Sequence, residues 1–143
     1  MKKKKKIDRE LEIKSSTGNL SQVRDFVKKA AEDCGFNDET VGKIMLAVDE
    51  ACTNIIKHAY HYNSDGIIKV NVVFVDPKLK VMITDYGEPF NSKSIPEPNL
   101  KEYHRLKKVG GLGMFLMRKL MDNVVYSNPN TKSNKVTLIK YLN

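Results

Sequence analysis

Apolar residues recur at intervals of three and four over two stretches of the first half of the chain, which predicts two amphipathic helices. The first is expected between Asn19, a residue suited to cap it, and Gly35, where a helix would stop. The second is expected to begin near Asn37 or Asp38 and to run to about Tyr60.

After a turn at Asn63–Gly66, the apolar period changes to two, which predicts β-strands. Two strands are expected at Ile68–Phe74 and Leu79–Ile83, joined by a tight turn at Asp76–Lys78 into an antiparallel hairpin. A looser alternation at Ile7–Ser15 predicts a further strand at the start of the chain.

The last part of the chain begins with a stretch that has no apolar period. Asn91–Lys108 is basic and is interrupted by prolines and serines, and its length indicates a functional lid or a disordered segment. A helix is predicted at Met114–Met121, and two closing strands at Asn123–Ser127 and Lys135–Leu142, joined by Asn128–Asn130.

This order of elements predicts one domain at residues 7–143, after a disordered basic tail at residues 1–6. The expected fold class is α/β (α+β). We expect a two-layer sandwich in which a mixed, mostly antiparallel sheet is covered on one face by helices.

Composition narrows the function classes. No apolar run approaches the roughly 20 residues that a membrane-spanning helix needs, and no secretory signal is expected. Cys34 and Cys52 have no metal-ligand spacing, so a zinc site and a disulfide scaffold are disfavoured and a cytoplasmic location is expected. The net charge of +8 comes largely from Lys2–Lys6, and no aromatic or Arg-rich pattern favours direct nucleic-acid binding.

Three polar residues follow each other at every fourth position of the second predicted helix: Glu50, Asn54 and His58. Each step of four drifts by roughly 40° around the helix, so these residues border the apolar face, where an unpaired carboxylate is costly. A metal ion, a water or a ligand is therefore expected to meet them. The alternative is that Glu50 pairs with Lys43 or Lys57 at the rim of the core.

Asp85 and Gly87 follow the second strand of the hairpin. A buried aspartate there would accept the exocyclic amino group of an adenine, a contact that the carbonyl of guanine cannot replace. Gly87 would let the base lie against bare backbone. The alternative is an ordinary turn.

The stretch Gly110, Gly111, Leu112 and Gly113 precedes a predicted helix and follows two lysines, Lys107 and Lys108. Converging backbone N–H groups, a helix N-terminus and nearby cations favour a phosphate. A flexible hinge is the alternative. With a phosphate placed here, Asn54 would be a neutral oxygen ligand for Mg²⁺, and Glu50 a general base.

The motifs E-A-x-x-N, D-x-G-x-P-F and G-G-x-G, in this order, resemble those of the GHKL superfamily of ATPases, which includes gyrase, heat-shock chaperones, histidine kinases and mismatch-repair proteins. They lie at Glu50–Asn54, Asp85–Phe90 and Gly110–Gly113. Within this superfamily the chain looks most like the small anti-sigma factor serine/threonine kinases of bacteria, whose last strand resembles Val136–Leu142. The basic balance of the chain is not part of this match.

The resemblance implies a kinase that binds ATP and Mg²⁺, sequesters a sigma factor, and phosphorylates a Ser or Thr of an anti-sigma antagonist protein. It also implies a homodimer. In this family the residue matching Glu50 is the base, and the residue matching Asn54 is the Mg²⁺ ligand. Asp85 and Gly87 would hold adenine, with Thr137 helping through a water. The implied phosphate contacts are Lys107, Lys108, Gly110, Gly111 and Gly113.

Two other functions are compatible with the motifs. One is a nucleotide-dependent switch that binds a partner without phosphotransfer, and the other is the ATP-binding domain of a histidine kinase. The second lacks an expected phosphoacceptor helix, because fewer than twenty residues precede the first predicted helix.

Overall fold

The computed structural model describes residues 4–89 and 111–143, and in the second range it describes side chains from Phe115 onwards. In chain order the elements are β1 (Lys6–Lys14), a 3₁₀ turn (Thr17–Asn19), α1 (Leu20–Cys34), α2 (Asp38–Asn54), a π-helical turn (Ile55–Ala59), β2 (Ile67–Val75), β3 (Lys78–Asp85), α3 (Gly111–Leu120), β4 (Asn123–Asn130) and β5 (Ser133–Tyr141). The predicted lid at Asn91–Lys108 lies outside the described residues.

The five described strands form one sheet in the order β1-β2-β3-β5-β4, and every neighbouring pair is antiparallel. The predicted two-layer sandwich is confirmed. The sheet was expected to be mixed and mostly antiparallel, and all of its described strand pairs are antiparallel. β3 is the middle strand, with β2 on one side and β5 on the other.

The core lies between one face of this sheet and the helices. Alternate residues of β2 each expose 1% or less of their surface, while the residues between them point to the other face and are half-buried. The buried set in β2 is Ile68, Val70, Val72 and Phe74. α2 is the central helix of the other layer, since it contacts α1, α3, β3 and β5.

The helix ends agree with the predicted stop and start signals, with one exception. Gly35 adopts a left-handed conformation with φ of 102°, and its N–H bonds to the last carbonyls of α1. The side chain of Asn37 accepts a hydrogen bond from the Thr40 N–H at 2.8 Å and caps α2. Asn19 was expected to cap α1, but its side chain donates to the Lys14 carbonyl instead.

The long second helix reaches its predicted end, but it does not keep one hydrogen-bond register. The α-helical ladder ends at Asn54, and the next turn is π-helical, with the Tyr60 N–H bonded to the Ile55 carbonyl at 3.0 Å. A π turn contains more residues than an α turn. His58 therefore does not continue the straight line that Glu50 and Asn54 begin.

Two boundaries differ from the sequence expectations. The turn between β4 and β5 lies at 131–132 and not at Asn128–Asn130, which are part of β4. Pro129 has no N–H to give to the ladder, and the register shifts between Ser127 and Asn130 accordingly. At the start of the chain β1 begins at Lys6, and the Lys5 carbonyl accepts the Asp76 N–H, so order extends into the predicted tail.

None of the helices within the described ranges combines the length and the apolar character that a bilayer crossing requires.

Replacing Asn37 by Ala removes the side-chain cap of α2, and we expect it to lower the free energy of unfolding by about 1 kcal/mol. Denaturant-induced unfolding would measure the change. Asn19→Ala is the matched control, because Asn19 makes no capping bond in the structure and should cost well under half as much. Equal losses in the two variants would contradict the assignment of the cap.

Candidate functional site

Asp85 ends the middle strand of the sheet and is the only carboxylate that is buried among the described residues, with 5% of its surface exposed. Its Oδ1 atom accepts hydrogen bonds from the Gly87 N–H at 2.9 Å and from Asn134 Nδ2 at 2.8 Å. No described residue donates to Oδ2. Burial raises the pKa of Asp85, and the bonds from Asn134 and Gly87 oppose that rise.

Asn134 lies directly opposite Asp85 in the β3–β5 register. Its Nδ2 also donates to the Gly87 carbonyl at 3.0 Å, and its Oδ1 accepts from Asn128 at 2.7 Å. Both protons of the amide are therefore used, and its orientation is fixed. Sequence reasoning missed Asn134. The signal would have been strand register, which the apolar pattern alone did not supply for β5.

Thr137 is not brought to Asp85. It stands opposite Met82, three positions beyond Asn134, and an odd offset along a strand turns a side chain to the other face. The neighbours Val136 and Leu138 are buried on the helix side, with Asp85. Thr137 therefore lies on the face of the sheet away from the helices, and the expected adenine contact through it is not supported by its position.

Gly87 packs directly on the π-helical turn. A Cβ atom placed on Gly87 would lie 2.5 Å from the carbonyl oxygen of Ala59, so any side chain would push the loop away. The Glu88 N–H donates to the same carbonyl oxygen at 2.9 Å. Because Ala59 follows Asn54 by one π turn, the loop after Asp85 is held against the end of the helix that carries Glu50 and Asn54.

Glu50 and Asn54 are half-buried on α2, and no hydrogen bond or ion pair joins either side chain to another described residue. The alternative pairing of Glu50 with Lys43 is absent, since Lys43 pairs with Glu39. Burial raises the pKa of Glu50, and the neighbouring Asp49 charge raises it further. Both groups are therefore polar and available for a ligand.

The glycine-rich stretch is described in part. α3 begins at Gly111, three residues before the predicted Met114, so Gly111 and Gly113 lie in the first turn of the helix. The first N–H groups of a helix have no intrahelical partners and favour an anion. Gly110, Lys107 and Lys108 lie outside the described residues.

Within residues 4–89 and 111–143, no group of three or more His, Cys, Asp or Glu side chains is arranged to hold a metal ion. Asn54 is a single neutral oxygen donor on α2, the helix that packs against α3. This donor set fits Mg²⁺, which keeps several waters and is bound largely through substrate phosphates.

Comparisons with known proteins show the family to which the chain belongs. The histidine kinase-like ATPase domain family matches residues 13–140. The chain is 34% identical over 138 residues to the serine-protein kinase RsbW of Listeria monocytogenes, covering 93% of this chain and 86% of the relative. It is 32% identical over 139 residues to the RsbW of Staphylococcus aureus, with the same coverage of both chains.

A solved structure shares the fold. The crystal structure of the RsbU and RsbW domains of a Mycobacterium tuberculosis protein superimposes with a TM-score of 0.68 at 14% sequence identity. The match covers 95% of this chain and 32% of that longer one, and it shows the fold alone.

Asp85→Asn is expected to stabilise the protein at neutral pH. The folded-state pKa of Asp85 is raised, so between the unfolded and folded pKa values the folded protein binds more protons, and the parent loses stability as pH rises. Asparagine keeps an oxygen acceptor for Gly87 and Asn134 but does not ionise. Urea unfolding over a pH series would measure the difference, which should shrink below the unfolded pKa.

Asp65→Asn is the control for this comparison, because Asp65 is an exposed carboxylate in the turn before β2. It removes the same charge without touching the network around Asn134. If Asp85→Asn is less stable than the parent at pH 7, the conclusion that burial raises the pKa of Asp85 at a cost in stability is wrong.

Proposed function

Because the chain belongs to the histidine kinase-like ATPase family, we propose that it is an ATP-dependent protein serine/threonine kinase that acts as an anti-sigma factor. In this role it sequesters a sigma factor and phosphorylates a Ser or Thr of an anti-sigma antagonist protein. The observation that carries the proposal is the buried Asp85 carboxylate, whose Oδ2 has no described partner, next to the helix that presents Glu50 and Asn54.

Specificity for adenine follows from the way in which the two carboxylate oxygens of Asp85 are hydrogen-bonded. Two donors occupy Oδ1, and no described residue donates to Oδ2, so Oδ2 is an acceptor that suits the exocyclic amino group of adenine. A guanine would present a carbonyl at that position, and two acceptors would then face each other in a buried site. Gly87 leaves backbone exposed for the flat face of the base, and Asn134 keeps the carboxylate in place.

Glu50 is proposed as the general base. Its raised pKa brings it closer to neutral pH, and its carboxylate is not tied to another described residue. It would take the proton from the Ser or Thr hydroxyl of the antagonist as that hydroxyl attacks the γ-phosphate. Phosphoryl transfer needs little covalent chemistry from the protein, so holding the hydroxyl in line is the main task of such a residue.

Asn54 is proposed as the protein ligand of Mg²⁺, which when bound neutralises charge on the phosphates. The glycines at 110, 111 and 113 would line those phosphates, and Lys107 or Lys108 would close over them. These assignments rest on the motif match, with the helix start at Gly111 in support.

The remaining parts of the proposal concern assembly and location. We propose a homodimer and a cytoplasmic protein, both on the family resemblance. Both cysteines are free and buried, which is compatible with a reducing compartment. Analytical ultracentrifugation of the purified chain would test the dimer directly.

The function is tested by incubating the protein with labelled ATP, Mg²⁺ and the cognate antagonist, and by following label on Ser or Thr. Glu50→Gln should bind ATP nearly as well as the parent while phosphate transfer falls by about 10²-fold or more, as loss of a general base typically produces. Nucleotide binding by the parent without any transfer would instead favour a partner-binding switch.

Glu39→Gln is the matched control for Glu50→Gln, because Glu39 is an exposed glutamate on the same helix. Its transfer rate should equal that of the parent. Full activity in Glu50→Gln would remove Glu50 from the catalytic role.

Asn134→Ala and Thr137→Ala separate the two candidate partners of Asp85. The loss of Asn134 removes a hydrogen bond to a buried carboxylate, and the Kd for ATP should rise about tenfold. Thr137→Ala should leave the Kd unchanged, since Thr137 lies on the other face. Isothermal titration with ATP and Mg²⁺ would measure both, and the reverse pattern would restore Thr137 to the site.

A further inference from the structure

The three backbone N–H groups that follow Asp85 each have a different hydrogen-bond partner. The Tyr86 N–H donates to the Tyr60 hydroxyl at 2.8 Å, and the Gly87 N–H donates to the Asp85 carboxylate. The Glu88 N–H donates to the Ala59 carbonyl at 2.9 Å. Two of these three partners lie in the segment that continues α2, so this segment sets where the loop sits.

Tyr60 is the side chain in that segment that joins the two strands to the helix. Its hydroxyl donates to the Ile67 carbonyl at 2.6 Å while it accepts from Tyr86, so it links the start of β2 to the end of β3. Burial raises the pKa of the Tyr60 phenol, and the hydroxyl keeps the proton that it donates. The ring lies flat on Gly66, where a Cβ atom would come within 2.5–2.6 Å of ring carbons.

The backbone on both sides of Tyr60 departs from regular helical geometry. The π-helical turn leads into two non-glycine residues with positive φ, His61 at 48° and Tyr62 at 66°. Each such residue is strained by of order 1–3 kcal/mol and persists only where surrounding contacts hold it. The His61 ring also lies 2.6 Å from the Glu88 carboxylate, so a contact between two exposed side chains joins this segment to the loop a second time.

We propose that Tyr60 is a positioning residue for base recognition, whose hydroxyl holds the Asp85–Gly87 loop at one place relative to the helix that carries Asn54. The inference rests on the proposed ATP site. Without this hydroxyl the Tyr86 N–H has no partner in the loop, and the end of β3 shifts. Asp85 then no longer meets the amino group of adenine at hydrogen-bond distance, whereas phosphate contacts at α3 are unaffected.

Tyr60→Phe tests this, because it removes only the hydroxyl and leaves the ring on Gly66. The two probes are ATP and purine riboside triphosphate, which lacks the 6-amino group, each titrated with Mg²⁺. The Kd for ATP should rise about tenfold, and the Kd for the analogue should change by about twofold at most. The preference of the parent for the 6-amino group is thereby lost. A general loosening of the fold would weaken both ligands equally and would overturn the proposal.

Tyr62→Phe is the matched control, since its side chain is 65% exposed and no described residue bonds to its hydroxyl; it should retain the parent's preference. Amide hydrogen exchange without ligand gives a second measurement: the Tyr86 amide should be protected in the parent and exchange faster in Tyr60→Phe. Equal protection overturns the positioning role. If the parent binds neither ligand, the proposed ATP site is wrong. If the parent prefers ATP and Tyr60→Phe keeps that preference, the ATP site stands and only the role of Tyr60 is wrong.

Discussion

Asp85 is a carboxyl group held inside the fold at the end of the middle strand, and the arrangement around it follows from the need to satisfy that group. An unpaired buried carboxylate is costly, so the chain supplies two donors, one from the backbone of Gly87 and one from the opposing strand through Asn134. Both donors bind the same oxygen. The other oxygen receives no hydrogen bond from the described residues, and it is the acceptor that the proposed adenine contact would use.

The rest of the site depends on how the loop after Asp85 meets the helix layer. A continuous α-helix through Tyr60 would direct its carbonyls along its own axis to residues four positions later. The π turn changes that register, and the Ala59 carbonyl and the Tyr60 hydroxyl instead bind N–H groups of the loop. One covalent segment thus carries Glu50 and Asn54 at one end and holds the loop after Asp85 at the other. In the proposed site, this segment would connect the residues that contact the base with those that contact the phosphates.

The elements that have a clear apolar period were predictable from the sequence, because burial of one face requires that period. This applies to both long helices and the central hairpin, and it also placed Asp85 at a strand end. The stop at Gly35 was predictable from the glycine itself. Asn134 and Thr137 show what an apolar period does not determine. They are three residues apart in one strand, and only the register against β3 decides which one faces Asp85. The π turn was missed for a related reason, since its apolar residues fit an α-helical pattern and the contact of Ala59 with Gly87 is not visible in the sequence.

Several features of the proposed site, and of the segment that holds its loop, cost free energy in the folded state. Asp85 and Glu50 both have raised pKa values because burial disfavours their charged forms, and His61 and Tyr62 add backbone strain nearby. The apolar core between the sheet and the helices must offset these terms. In the proposed site, an amino group of the base would donate to Oδ2 of Asp85, the oxygen that receives no hydrogen bond from the described residues. A base that presents a carbonyl at that position would not gain this hydrogen bond.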